Sequence, residues 1–315
     1  MRRKKGFTIV ELLTVMGVIA VLIGLLVPAL GLVKDYSKRI QQKAQFHGID
    51  VGLEIYKTEL GSYPRSNDNS LAPVHPMDNT PYCGANKLAE AMVGLDLIGF
   101  HPSSDFRADG HNTVATKTPP PPTMDVYVYN TVGVANWQDA EENIEARKGP
   151  FVDLESANAF YMNEVYYTGD TTPTFISNVD NNGLYPPVLC DVYAQKRSGL
   201  GGKKTGTPIL YFRARSNFTL QDYSMDGDYT NDIYNLDDNI NLLNLGMPND
   251  STAYSIETAG NGDIYENFEN MIVNQNVQAI RRPYRAEAYI LISAGKDGDF
   301  GTADDVFNFD KEVTE

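Results

Sequence analysis

The 27 positions from Phe7 to Val33 carry one charged side chain, Glu11, in an otherwise apolar run. Wound as a helix, such a stretch spans roughly 40 Å at 1.5 Å per residue, enough to cross a bilayer core of about 30 Å. Past Val33 the pattern changes. Tyr36, Ile40, Ile49, Leu53, Tyr56 and Leu60 recur at intervals that fit one helical face, poorly at first and better toward the end. Gly48 and Gly52 lower the helix propensity but stay in the pattern, and Gly61 with Pro64 stops it. One helix from Phe7 to about Leu60 is predicted, interrupted by Gly17, Gly24 and Pro28. Pro28 removes a backbone donor, so a kink or local melting is expected there.

Beyond the helix the periodicity weakens. "NKLAEAMVGLDLIGF" (86–100) predicts a helix with Leu88, Met92, Leu95 and Ile98 on one side and Gly99 near its end. "TPPPPT" (118–123) predicts an extended loop, and "MDVYVYNTV" (124–132) a short strand. "GTPILYFRARS" (206–216) is the clearest strand, opened by Pro208, and "AYILIS" (288–293) has strand composition too. No internal repeat is visible. The 19 tyrosines and the Asn/Asp clusters fit an exported, loop-rich, partly β head.

Charge narrows the choice of partner. Without Arg2, Arg3, Lys4 and Lys5 the chain would hold 22 basic against 41 acidic side chains, a formal balance of −19. A phosphate polymer is repelled by such a surface, so no nucleic acid is expected as partner. Basic residues flank the apolar run on both sides, Arg2 to Lys5 before it and Lys34, Lys38, Arg39 and Lys43 after it, so charge bias does not set its orientation. Two cysteines, Cys83 and Cys190, allow one disulfide in an exported chain or two buried thiols, and sequence does not choose between them.

Glu11 is the anomaly. An ionised acid in lipid costs at least about 2.5 kcal/mol, so it calls for a partner. A secretory signal peptide fits badly: the run is too long for an h-region and no A-x-A site follows it. If the chain were cut after Gly6, Phe7 would carry a new α-amino group close to Glu11. Pairing within one helix, at i,i+4, or between neighbouring helices would neutralise the carboxylate.

"KKGFTIVELLTVMGVIAVL" (4–22) resembles the class III leader and N-terminus of type IV pilins and of the pseudopilins of type II secretion. Gly6 stands before the cut, Phe7 is the first mature residue, and Glu11 is the acid five residues into the mature chain. "GLEIYKTELGSYP" (52–64) is similar to the helix end of the major pseudopilins through Tyr56, Gly61, Tyr63 and Pro64. The resemblance implies cleavage by a prepilin peptidase and methylation of Phe7. It also implies pairing of Glu11 with the Phe7 amine of an adjacent subunit, and melting of roughly Ala20 to Pro28 on assembly. The implied fold class is α+β. A long N-terminal helix packs on a C-terminal head that holds a small antiparallel sheet and a large loop-rich insertion. The implied division is a leader at 1–6, a transmembrane and filament-core half at 7–33, and an amphipathic half at 34–60. The head follows at 61–315, with the insertion at about 65–280. Partners would be identical or related pilin subunits and an inner-membrane assembly platform. The chain would cross the inner membrane once, head outside the cytoplasm, before entering a pseudopilus or pilus.

Three acidic clusters are candidates for metal chemistry. Asp226, Asp228 and Asp232 lie in "DYSMDGDYTNDIYNLDDN" (222–239), which lacks the ligand ladder of an EF-hand and reads as a solvated loop. His101, Asp105, Asp109 and His111 lack the tight spacing of a zinc site. The loop 295–305 differs. Asp297, Asp299, Asp304 and Asp305 fall within nine residues, beside Gly295, Gly298 and Gly301, and hard oxygen ligands on a turning backbone suit Ca²⁺. The stretch also looks like the calcium loop of the major pseudopilins. That likeness implies structural Ca²⁺ on Asp297, Asp304 and Asp305, with Asp299 optional.

No H-E-x-x-H, G-x-S-x-G or P-loop occurs, so the expectation is a filament subunit and not an enzyme. The alternatives are a minor or tip pilin with an adhesive or cargo-binding head, and an anchored enzyme whose catalytic groups are dispersed in sequence.

Overall fold

The computed structural model describes residues 8–66, 82–106, 111–113, 125–129, 137–166, 185–194, 204–248, 252–258, 263–277 and 279–311. The chain divides into two compact units, Met1–Gln41 and Gln42–Glu315. Helix α1 (Ile9–Leu60) begins in the first and ends in the second, and is helical through Pro28, without local melting at that residue.

In the second unit, α1 buries Gln42, Gln45, Phe46, Ile49, Gly52, Leu53 and Tyr56. The stripe read from Ile49, Leu53 and Tyr56 is therefore a core face, whereas Tyr36 and Ile40 are exposed in the first unit. Helix α2 (Gly84–Val93) is buried along its whole length. It ends earlier than its apolar spacing predicts. Gly94 turns out of the helix at φ 82°, and a Cβ there would collide with the carbonyl oxygen of Gly99. Leu95 and Ile98 thus lie in a tight loop, not on a fourth turn, and Ile98 is exposed.

Short elements follow. Strands β1 (His111–Thr113) and β2 (Asp125–Tyr127) pair antiparallel, the second inside the stretch predicted as a strand. Helices α3 (Trp137–Glu145) and α4 (Leu154–Ala157) lead to β3 (Ala159–Tyr161), α5 (Met162–Val165) and β4 (Pro187–Leu189), and β3 pairs antiparallel with β4. The proline loop 118–123 lies outside the described residues.

A three-stranded antiparallel sheet organises the second unit. Strand β5 (Leu210–Arg213) is followed by α6 (Tyr223–Asp226), α7 (Ile240–Leu243), α8 (Ser255–Thr258) and α9 (Ile264–Ile272), then β6 (Tyr289–Ser293) and β7 (Val306–Phe307). The order is β5-β6-β7, with Leu210 opposite Ile292 and Ile292 opposite Phe307. All five residues of β6 are buried, because both faces of the sheet are covered. Tyr211, Tyr289 and Leu291 join the cluster that holds Phe46, Leu53 and Met92. The alternate residues, Leu210, Phe212, Ile290 and Ile292, join a second cluster with Ile233, Leu242, Ile256, Phe268 and Ile272. Side-chain alternation along a strand separates these two sets. The insertion therefore does more than loop out: it supplies the second layer of the core. The fold class is α+β, a long N-terminal helix followed by a head with small antiparallel sheets.

One ion pair holds the edge of this core. The Arg147 Nη1 donates to both oxygens of Asp96 at 2.6 Å, with side chains only 2% and 9% exposed. Its remaining donors reach Asn143 Oδ1. Arg147→Ala leaves Asp96 buried without its counter-charge, and a loss of about 3–5 kcal/mol is expected by denaturant unfolding. A matched apolar pair, Arg147→Met with Asp96→Leu, recovers most of that loss if the unpaired charge is its cause.

Candidate functional site

The N-terminal segment starts with a capping box. Thr8 precedes the first helical residue, and its hydroxyl accepts from the Glu11 N–H at 3.2 Å. The Glu11 Oε2 accepts in return from the Thr8 N–H at 2.9 Å and from the Thr8 hydroxyl at 2.8 Å. "TIVE" is thus an S/T-x-x-E cap directly before an apolar run, a signal that was open to reading from the sequence. Glu11 thus has a role at its own helix start, met by Thr8, beside the expected pairing with an α-amino group. After it, the helix exposes large apolar side chains on every face, from Ile9 at 83% to Leu32 at 74%, and is long and apolar enough to cross a membrane. Gly6 and Phe7 lie outside the described residues.

The C-terminal acidic loop hangs between β6 and β7. Gly295 opens it at φ 69°, where a Cβ would collide with the backbone oxygen of Asp304. That close approach lets the Asp304 Oδ2 accept from the N–H groups of Lys296 at 2.6 Å and Asp297 at 3.1 Å. The Asp304 Oδ1 takes the Thr302 hydroxyl at 2.6 Å. Burial acts to raise the Asp304 carboxyl, but donors from Thr302, Asp297 and Lys296 outweigh it and lower it. Asp297 is raised, chiefly by burial and further by its hydrogen bond and charge contact with Asp304. The two carboxyls act on each other, Asp304 pushing Asp297 up while Asp297 helps to hold Asp304 down.

Asp305 is the deepest of the set. Its Oδ2 accepts from Gly301 N–H at 2.9 Å, and its Oδ1 is buried with no partner. Burial pushes its carboxyl up to about 8. Asp299 faces elsewhere. Its two oxygens take the Ser255 N–H at 2.6 Å and the Ser255 hydroxyl at 2.5 Å, fastening the loop to the start of α8. Among the described residues, no three His, Cys, Asp or Glu side chains form a closed metal-ligating group. The orphaned Asp305 oxygen and the charge contact between Asp297 and Asp304 are nonetheless what a hard cation would relieve. The donor set fits Ca²⁺ only with backbone carbonyls or water completing the shell.

The other candidates separate. Asp232 is buried, accepting from Gln221 Nε2 and from the Asp222 N–H. Asp228 caps a 3-10 turn through Thr230 and Asn231, and Asp226 accepts from the Asp228 N–H. They are turn and core anchors, not convergent ligands. His101 Nδ1 accepts from Ser103 N–H, and Asp109 lies outside the described residues. Cys83 and Cys190 are free, buried thiols in one core cluster. The Cys83 Sγ donates to Asn86 Oδ1 at 2.9 Å and burial pushes its thiol to about 12, so it is held as an unreactive, unbridged thiol.

A site that composition did not reveal is the carboxylate of Glu90. It is fully buried in α2 and accepts from Tyr82 at 2.7 Å, from Tyr129 at 2.8 Å, and from the Ser104 hydroxyl. Burial raises it. Its partners lie up to 39 residues away, so no local spacing announced it.

No curated protein and no solved structure matches the chain. The prokaryotic N-terminal methylation motif matches residues 1–27. The chain therefore carries a class III prepilin leader continuous with an apolar helix of membrane-spanning length.

Proposed function

We propose that this chain is a structural subunit of a helical filament, either a type IV pilus-like fibre or a type II secretion pseudopilus, and that it performs no catalysis. The observation that carries the reading is the methylation motif at residues 1–27 running directly into a helix whose apolar side chains are exposed on all faces. Such a helix needs a lipid environment or other apolar helices around it. A prepilin peptidase cuts after Gly6 and methylates Phe7. The subunit waits in the inner membrane with its head outside the cytoplasm. An assembly platform then transfers it to identical or related subunits, where Glu11 meets the Phe7 amine of its neighbour. Ca²⁺ binds the loop 295–305 through Asp297, Asp304 and Asp305, with Asp299 acting as a strap to Ser255 and not as a ligand. The cation orders the turn next to the sheet edge.

The N-terminus tests this reading directly. Mass spectrometry of protein from its native cells is expected to show a chain that begins at an N-methylated Phe7. A native chain that begins at Met1, or an unmodified Phe7, overturns the proposal.

A further inference from the structure

We propose that the partly exposed tyrosines Tyr223, Tyr229 and Tyr265 form a docking surface for a lysine- or arginine-bearing segment of a partner protein. This surface is separate from the apolar helix and from the cation loop, and it stands whether or not the chain polymerises.

The first observation is geometric. Tyr229 and Tyr265 stack with ring centroids 4.3 Å apart and planes 10° from parallel. Tyr223 is tilted against both, at 5.2 Å from Tyr265 and 6.3 Å from Tyr229. All three are partly exposed, unlike the buried Phe212–Phe268 pair of the core. Their positions are fixed. The Tyr223 hydroxyl donates to Asp263 Oδ2 at 2.7 Å and the Tyr265 hydroxyl to Asp237 Oδ1 at 2.8 Å. The other Asp263 oxygen caps α9 by accepting from the Tyr265 N–H at 3.0 Å. The rings are therefore prearranged, which lowers the ordering cost of binding.

The second observation is charge. From Asp222 to Ile280 the chain has eleven carboxylates and no lysine or arginine. Asp222, Asp226, Asp228, Asp263 and Glu266 sit on or directly beside the short helices that carry the three rings, and Asp237 meets the Tyr265 hydroxyl from a separate turn. The flanking cations are committed. Arg215 donates to the Thr230 carbonyl at 2.9 Å, and Arg281 pairs with Glu269 at 2.6 Å. Ring faces attract cations through their quadrupole, and surrounding carboxylates add to that attraction. A neutral sugar would also stack on tyrosine but gains nothing from the acids, so the charge favours a cationic partner.

The test uses the processed full-length chain in detergent, titrated calorimetrically with octa-arginine, octa-glutamate and maltoheptaose. Octa-arginine is expected to bind and to weaken as salt rises from about 50 to about 500 mM, with no binding of the other two. Tyr229→Ala is expected to weaken it by about tenfold, and Tyr229→Phe by less than about twofold. A second variant, Asp222→Asn with Glu266→Gln, leaves the ring-anchoring bonds to Asp263 and Asp237 in place and is expected to weaken binding as well. Absence of octa-arginine binding overturns the proposal. So does an unchanged affinity in Tyr229→Ala, and so does binding of maltoheptaose that Tyr229→Ala abolishes, which would make the patch a sugar platform.

Discussion

Glu11→Val is expected to abolish filament assembly while leaving cleavage after Gly6 intact. The apolar run around Glu11 belongs in lipid, where an ionised carboxylate costs at least about 2.5 kcal/mol. Valine removes that cost, so the variant sits more comfortably in the membrane and loses both its incentive to leave and its charge partner. The capping box with Thr8 offers a competing account, in which Glu11 merely satisfies the Thr8 N–H at the helix start. Glu11→Gln separates the two. Glutamine completes a capping box as glutamate does, but carries no charge for a neighbour's Phe7 amine. If pairing is the function, the glutamine variant fails as the valine variant does. If capping is the function, glutamine assembles normally and the valine variant loses only about 1 kcal/mol of helix stability. Sheared filament yield, with the membrane pool of cleaved subunit as control, reads both outcomes. A normal yield from Glu11→Gln removes the pairing role.

The parts of the fold that were legible in sequence are those where a single local rule acts. The apolar run and the stop at Gly61 and Pro64 bound α1, which ends at Leu60. "GTPILYFRARS" and "AYILIS" contain β5 and β6, because β-branched and aromatic residues crowd both stretches. The end of α2 was not legible. Apolar spacing continues through Leu95 and Ile98, but the backbone leaves the helix at Gly94, and only the approach of Gly99 explains why. The insertion reads as loop-rich in sequence because its helices are short. Its core residues, such as Ile233, Leu242 and Phe268, reveal themselves only when β5 and β6 present their second face. Acid spacing suggested a ligand loop at 295–305, yet it could not tell Asp299 from its neighbours. That distinction depends on Ser255, 44 residues away. Long-range hydrogen bonds of this kind leave no periodic trace.

Asp305→Asn is expected to remove both the pH dependence and the calcium response of the loop. In the cation-free chain the Asp305 carboxyl is pushed up to about 8 by burial, and one of its oxygens has no partner. A carboxyl raised in the folded state holds its proton there while the unfolded chain releases it. The sign follows. Stability is full below the ordinary carboxylate range and falls as pH rises toward about 8, by at most about 1.4 kcal/mol per pH unit. The melting temperature of the cation-free chain should therefore drop between about pH 5 and about pH 8. A cation replaces the missing proton, so Ca²⁺ should act most at the upper end. At a hundredfold excess over its dissociation constant it contributes about 2.7 kcal/mol, which for a head of this size is a rise of about 5 °C or more. Asparagine carries no charge to neutralise. Its amide also brings a donor into the pocket. The Asp305→Asn chain should therefore lose the Asp305 share of the fall and keep the smaller one contributed by Asp232 and Asp238, whose carboxyls burial raises to about 6. At each pH it should melt at the same temperature with or without Ca²⁺. Asp299→Asn is the control: its carboxylate serves Ser255, so the calcium shift should survive while the anchoring of α8 weakens. A wild-type chain whose melting temperature ignores Ca²⁺ at about pH 8, or an Asp305→Asn chain that responds as strongly as wild type, would show that Asp305 is buried for the sake of the sheet edge alone.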